Sequence, residues 1–348
     1  MQVSYCLKIF VAHLSLYSRS TEIEGRVFIP FVIALKKQII LMKKILISTS
    51  SFGKYDKSLI EALKRKDFIV TLNPHGRELK ECEIKELLNG VDGLIAGTEP
   101  LTRNVICSAQ NLKVISRCGI GIDNIDLEAM KERGISLYRT PEGPALAVAE
   151  LTLGFILDSL RYISYLSKKI RSGGWEKKMG RLFTGKTVGI VGMGTIGKRL
   201  TTFLRPFNCK ILASDHVPDI EFARDNNINY VKLDELLKES DIVTLHLPLE
   251  NDTKGLFGRN LFSQMKDGAI FINTSRGKIV DEDDLYDVLR EGKIAHACLD
   301  VYRNEPYTGK LMELDNVTLT CHVGSYAQEA RMEMEQQAIE NLLKGLGE

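Results

Sequence analysis

A chain of 348 residues is too long for one small domain, and two domains are the natural division. With 44% hydrophobic and 26% charged residues and a formal net charge of +2, it reads as an ordinary soluble globular protein with no electrostatic case for nucleic acid. The seven cysteines are odd in number and form no C-x-x-C pair, which argues against a disulfide framework or a zinc site and for reduced thiols in a cytoplasm.

Residues 1–41 look foreign to the rest of the chain. They hold two apolar patches, 9–16 and 27–35, interrupted by His13 and Ser15 and by Pro30. Neither reaches the ~18 apolar residues of a membrane span. No small-residue cleavage site marks a signal peptide. Met42-Lys43-Lys44-Ile45 instead opens directly into a strand, so 1–41 is expected to be an upstream extension, disordered or loosely attached. A membrane-surface anchor is the rival reading for this segment; for the rest of the chain no membrane partner is expected.

From Met42, strand candidates at 44–48, 68–72, 91–96, 113–116 and 135–138 alternate with helical patterns such as 57–66 and 78–89. Alternation of this kind builds βαβ units around a parallel sheet. A first domain is therefore expected over 42–143. Thr140-Pro141-Glu142-Gly143-Pro144 breaks the pattern. A long helix from Ala145 to about Ser172 should then link the two domains. Trp175, the only tryptophan, opens the loop behind it and is expected to pack on the surface, with a place at an interface as the alternative.

The second domain, 144–324, is organised by one stretch. The β-branched run Val188, Ile190, Val191 reads as a buried strand and leads into Gly192-x-Gly194-x-x-Gly197, with a helical pattern behind it. The first glycine permits a tight turn, the second lets backbone approach a pyrophosphate, and the third lets the helix pack on the strand. The helix N-terminus, with Thr195 and Ile196, then offers free N–H groups to phosphate. A further strand, 211–214, ends at Asp215, 18 residues past Gly197, where a carboxylate would bind the adenosine ribose and repel a 2′-phosphate. His216-Val217-Pro218 brings no Arg, so NAD is expected over NADP.

Strand candidates at 241–245, 269–273, 295–299 and 317–320 end at His246-Leu247-Pro248, Thr274-Ser275-Arg276, Asp300 and Cys321-His322. Ligands in open α/β sheets lie beyond the carboxyl ends of strands. His246, Pro248, Thr274 and Asp300 are accordingly assigned to the cofactor pocket, beside Gly192, Gly194, Thr195, Ile196, Gly197 and Asp215. Arg276 has the planar fork that grips a carboxylate at two points. His322 is the candidate general acid/base. Glu305, in the loop after Asp300, is its candidate partner, since a carboxylate bonded to imidazole favours the charged form. His296 lies inside a strand run and is expected to be packed. No metal site is expected.

Ser116-Arg117-Cys118-Gly119-Ile120-Gly121-Ile122-Asp123-Asn124-Ile125-Asp126, Ala147-Val148-Ala149-Glu150, Gly192 to Gly197, Asn273-Thr274-Ser275-Arg276-Gly277, Asp300-Val301-Tyr302-x-x-Glu305-Pro306 and Cys321-His322-Val323-Gly324 follow one another in an order that resembles the D-isomer-specific 2-hydroxyacid dehydrogenases, most nearly the phosphoglycerate dehydrogenases. The resemblance covers about 42–340. It implies an α/β chain of two doubly wound domains with parallel sheets, a flavodoxin-like substrate domain and a Rossmann NAD-binding domain. The substrate domain is discontinuous in that family, so 325–348 should rejoin 42–143. The family's catalytic Arg, Glu and His fall on Arg276, Glu305 and His322. Its carboxylate-binding backbone falls on Gly119, Ile120 and Gly121. The resemblance also implies hydride transfer between NAD and a small-molecule 2-hydroxy/2-oxo acid, and a homodimer through the cofactor domains.

One segment departs from the phosphoglycerate dehydrogenases. Where they commonly carry Arg-Ser-x-Thr after the third strand, this chain reads Gly97-Thr98-Glu99-Pro100. Gly97 stands at the Arg position and Glu99 adds a charge expected to repel phosphate, leaving Arg117 as an anion contact. Phosphoglycerate is the leading substrate; glyoxylate, hydroxypyruvate or a sugar-derived acid is the alternative. An NAD-sensing interaction protein, as in the family's corepressors, is the rival of another class.

Overall fold

A computed structural model of the chain describes residues 42–66 and 68–348. The expectations for 1–41 lie outside the described residues. From Met42 on, short apolar runs and amphipathic segments alternate as the sequence suggests. The first sheet holds β1 (Lys44–Ile47), β2 (Ile69–Leu72), β3 (Gly93–Ala96), β4 (Val114–Arg117) and β5 (Ser136–Arg139). Between them run α1 (Ser58–Arg65), α2 (Glu81–Leu87), α3 (Arg103–Ser108) and α4 (Leu127–Arg133). All pairings are parallel, in the order β2-β1-β3-β4-β5, the flavodoxin-like arrangement.

Next come α5 (Glu142–Arg161) and α6 (Ile163–Arg171), then β6 (Thr187–Val191), α7 (Thr195–Leu204), β7 (Lys210–Ser214), α8 (Ile220–Asn226), β8 (Ile228–Tyr230), α9 (Leu233–Glu239) and β9 (Ile242–Leu245). The chain ends with α10 (Arg259–Gln264), β10 (Ala269–Asn273), α11 (Glu282–Arg290), β11 (Ile294–Leu299), β12 (Val317–Leu319) and α12 (Gln328–Leu346). The second sheet runs β12-β11-β10-β9-β6-β7-β8, again all parallel. Its order reverses at β6/β9, the switch point where doubly wound sheets open a ligand crevice.

Strand alternation sorts the core of the second sheet onto two faces. Val243, Leu245, Phe271 and Leu299 pack with Phe257 and Phe262 on one side. Val188, Ile190, Ile242, Ile270 and Ile272 pack with Phe155 and Ile156 of α5 and Leu200 of α7 on the other. The C-terminal α12 lays Met334, Ala338 and Leu342 on Ile45, Ile47, Ile95 and Val114 of the first sheet. α5 is long and apolar enough to cross a membrane, yet 61% of that window is buried within the fold, as in a core helix.

Several local features differ from the sequence reading. The linking helix begins at Glu142, not Ala145, because Pro144 sits in the first turn, where an N–H needs no partner. It is not continuous to Ser172: Tyr162 adopts a left-handed backbone (φ 56°), which ends α5 and starts α6. Trp175 is 86% exposed, more open than a side chain packed on the surface. β8, a three-residue edge strand, has no counterpart among the expected strands.

Candidate active site

The carboxyl ends of both sheets face one cleft of about 840 Å³. On one side β6 runs into Gly192, whose N–H donates to Ser214 O. Gly192 has φ 93°, and a Cβ there would meet His246 O at 2.7 Å, so this turn needs glycine. α7 follows with Gly194 as its N-cap and no capping side chain. The N–H groups of Gly194, Thr195 and Ile196 have no acceptor among the described residues, and the space above Gly194 is open. Bare donors, the positive end of a ten-residue helix and open space suit a pyrophosphate.

Asp215 ends β7 just beyond the glycine turn. Its Oδ2 accepts from Met193 N–H at 2.7 Å and its Oδ1 from Val217 N–H at 3.0 Å, so the carboxylate also braces the turn. Each oxygen keeps a lone pair for a hydroxyl. His246 is buried with Nε2 3.1 Å from Thr244 Oγ1, and burial pushes its pKa down to about 3, leaving a neutral ring. Pro248 lines the cleft behind it. Thr274 Oγ1 lies 3.2 Å from Thr152 Oγ1 of α5, tying β10 to that helix.

His322 follows β12 with a left-handed backbone, φ 56°. Asp300 imposes that conformation. Its main-chain oxygen accepts His322 N–H, and its carboxylate accepts from Thr320 Oγ1 (2.5 Å), Val323 N–H (2.8 Å) and Gly324 N–H (2.7 Å). Asp300, assigned from sequence to the cofactor, thus braces the loop that presents His322. The imidazole Nδ1 stands 2.8 Å from Glu305 Oε2, and Glu305 Oε1 accepts Tyr302 N–H at 3.0 Å. The hydrogen bond to Glu305 raises the His322 pKa against the opposing effect of burial. Burial pushes the Glu305 carboxyl up, but the bonds from His322 and Tyr302 outweigh it and leave its pKa below the usual value.

Arg276, after β10, reaches across to the first sheet. Its Nη1 donates to Ser275 O at 2.7 Å and its Nε to Asp123 Oδ1 at 3.0 Å. The guanidinium lies so close to Gly121 that a Cβ there would fall 1.6 Å from Nη2. The 119–121 loop is held from below by Arg117, which is buried, donates from Nε to Gly121 O at 3.0 Å and from Nη1 to Cys118 O, and has its pKa lowered by that burial. Arg117 therefore shapes the loop, with two donors already engaged. Gly119 N–H is also taken up, by Thr140 Oγ1 and Arg117 O. The N–H groups of Ile120 and Gly121 have no acceptor among the described residues.

The cleft lining thus joins Arg117, Gly119, Ile120, Gly121, Gly194, Thr195, Ile196, His246, Pro248, Thr274, Arg276, Asp300 and His322. Glu305 stands behind His322; Gly192, Gly197 and Asp215 form the turn beside the cleft. His296 is packed in β11, as expected, with Nε2 2.9 Å from Thr318 Oγ1. Glu99 turns inward: it is 1% exposed, accepts from Ser48 Oγ and from Gly97 N–H, and has its pKa raised by burial. Sequence reasoning missed Asp123, which sits inside a stretch that carries the resemblance, and Thr140, which opens the segment that breaks the strand-helix pattern. It also missed Arg331 on α12, for which a helical pattern gives no signal.

The family model of the D-isomer specific 2-hydroxyacid dehydrogenase NAD binding domain matches residues 153–324. The chain is similar to a hydroxypyruvate reductase from Thermotoga maritima, 37% identical over 299 residues, covering 84% of this chain and 96% of that protein. It is similar to a D-3-phosphoglycerate dehydrogenase from Methanocaldococcus jannaschii, 39% identical over 259 residues and 73% of this chain, but it spans only 49% of that protein's length. Among solved structures, a glyoxylate reductase from Paecilomyes thermophila superposes with a TM-score of 0.78 at 30% identity, covering 87% of this chain and 94% of that one.

Proposed function

The chain belongs to the D-isomer-specific 2-hydroxyacid dehydrogenase family, and we propose that it interconverts a short D-2-hydroxy acid and its 2-oxo acid in the cleft between the two sheets. It is an oxidoreductase, and its cofactor is NAD. When bound, the cofactor in its reduced form, NADH, would supply the hydride for reduction of the 2-oxo acid at C2, and in its oxidised form, NAD+, would take it up in the reverse direction. The N–H groups at the start of α7 would hold the pyrophosphate, and Asp215 the ribose.

The observation that carries this reading is the 2.8 Å His322–Glu305 bond facing Arg276 across the cleft. A carboxylate at Nδ1 fixes the proton there and leaves Nε2 toward the cleft. In reduction, Nε2–H of the imidazolium gives its proton to the carbonyl oxygen as negative charge develops on it, and solvent restores the proton. Glu305 keeps the ring charged until then. Arg276, with the free N–H groups of Ile120 and Gly121, holds the substrate carboxylate at several points. Asp123 keeps the guanidinium turned toward that loop.

In this reading 42–143 with 325–348 form the substrate domain and 144–324 the NAD domain. The exposed Trp175 and Met179 support burial against a second copy through the NAD domains. The reduced-thiol composition supports a cytoplasmic location. Gly97, which puts no cation after β3, favours an unphosphorylated substrate over phosphoglycerate; Glu99, expected to repel phosphate, is instead turned inward and bonded to Ser48 and Gly97. NADH oxidation over a panel of 2-oxo acids tests the proposal. Turnover of at least one acid supports it; silence on every acid, with NADH still bound, would favour a cofactor-sensing protein instead.

A further inference from the structure

The far end of the cleft, below the loop that follows β1, contains a polar arrangement that the chemistry above does not use. Arg331 of α12 is only 6% exposed and donates from Nη2 to Ser51 Oγ at 2.9 Å and to Glu335 Oε1 at 3.0 Å. Glu335, 1% exposed, accepts Gly53 N–H at 2.9 Å through its other oxygen. One buried ion pair therefore fixes both ends of the 51–53 turn. The Arg331 guanidinium also borders the Cys118 thiol, which immediately precedes the carboxylate loop.

We infer that Ser51, held by Arg331 and Glu335, recognises an uncharged hydroxyl on the carbon next to the reacting carbonyl, so that the preferred oxo acid is 3-hydroxylated and unphosphorylated. This rests on the dehydrogenase reading above. A serine hydroxyl has one proton, and accepting from Arg331 leaves that proton to donate elsewhere. Ser51 lines the same cleft as Arg276 and His322. Polarisation by a guanidinium strengthens such a donor.

Charge selects against phosphate. Arg331 is matched by Glu335, and Arg117 is engaged with two backbone carbonyls. Glu78 lines the same end, and among the described residues no lysine lines the cleft. Arg139, the other arginine of the lining, ends β5, three strands across the sheet from β1. A phosphate dianion beside Ser51 would lose water without gaining an unmatched cation.

The test compares kcat/KM for glyoxylate, hydroxypyruvate and 3-phosphohydroxypyruvate with NADH. Glyoxylate has no third carbon and reads the common chemistry alone. The wild-type enzyme should prefer hydroxypyruvate to its phosphorylated form by at least about tenfold. Ser51→Ala should lower the hydroxypyruvate-to-glyoxylate ratio about tenfold, and Ser51→Thr, which keeps the hydroxyl, should restore most of it. Replacing the ion pair as Arg331→Met with Glu335→Leu avoids an unpaired buried charge and should lower the same ratio. A preference for the phosphorylated acid, or a ratio unmoved by Ser51→Ala, would overturn the subsite while leaving the dehydrogenase reading intact. Failure to reduce any of these three acids would overturn the subsite, and silence on every acid of the wider panel would overturn the dehydrogenase reading as well.

Discussion

Gly121→Ala probes the carboxylate clamp through a single methyl group. Gly121 is outside the left-handed region, so alanine meets no backbone penalty. The added Cβ would stand 1.6 Å from Arg276 Nη2, 2.9 Å from Arg276 Cζ and 2.9 Å from Asp123 Oδ1. Ordinary contact begins at 3.4 Å, so Nη2 must retreat by roughly the difference, 3.4 − 1.6 ≈ 1.8 Å. The guanidinium is the far end of a flexible side chain and can move without unfolding anything, but it then leaves both Asp123 and the free N–H groups of the loop. A clamp displaced by more than about 1 Å costs on the order of 10²-fold in rate, or about 2.7 kcal/mol of transition-state stabilisation. Steady-state NADH oxidation reads the loss in kcat/KM, while NADH fluorescence titration and thermal melting should match wild type. A kcat/KM within about threefold of wild type would refute the placement of Arg276 against the substrate carboxylate.

Other residues give independent checks. Glu305→Gln removes the acceptor that raises the His322 pKa. Reduction needs the imidazolium, so kcat/KM should hold at low pH and fall as pH rises through that pKa, and the fall should move to lower pH in the variant; an unmoved pH profile would remove Glu305 from its role. Asp215→Ala should weaken NAD binding and narrow the preference over NADP, read as the ratio of the two Kd values, and should also lower stability by about 1 kcal/mol through loss of the Met193 and Val217 anchors. Asp300→Ala strands three donors around a carboxylate 1% exposed and should lower stability by roughly 2–4 kcal/mol in urea denaturation, with kcat falling as the His322 loop relaxes.

Much of the scaffold is visible in the pattern of the chain. Every expected strand appears within two residues of its place, because buried parallel strands are short continuous apolar runs bounded by turns. The glycine turn and Asp215 stand together for the same reason: strand, spacing and acid each constrain the next. What escaped depends on contacts distant in sequence. Tyr162 has no side-chain feature that announces a left-handed backbone. Ile228-Asn229-Tyr230 is too short to show a period. Asp300 sits at a strand end like a ligand-binding acid, and only its three loop donors reveal its bracing work. Asp123 and Arg276 are 153 positions apart and follow strands of two different sheets, and Arg331 reaches Ser51 across 280. The return of α12 to the first sheet followed from family resemblance, since a helical pattern cannot name the sheet it covers.

Catalysis in this scheme turns on the proton given from His322 Nε2. The direct measurement is kcat of His322→Ala with saturating NADH and 2-oxo acid, alongside the NADH Kd of the same variant. A loss of roughly 10²–10⁴-fold in kcat with NADH binding unchanged is expected; kcat near the wild-type value would contradict that role.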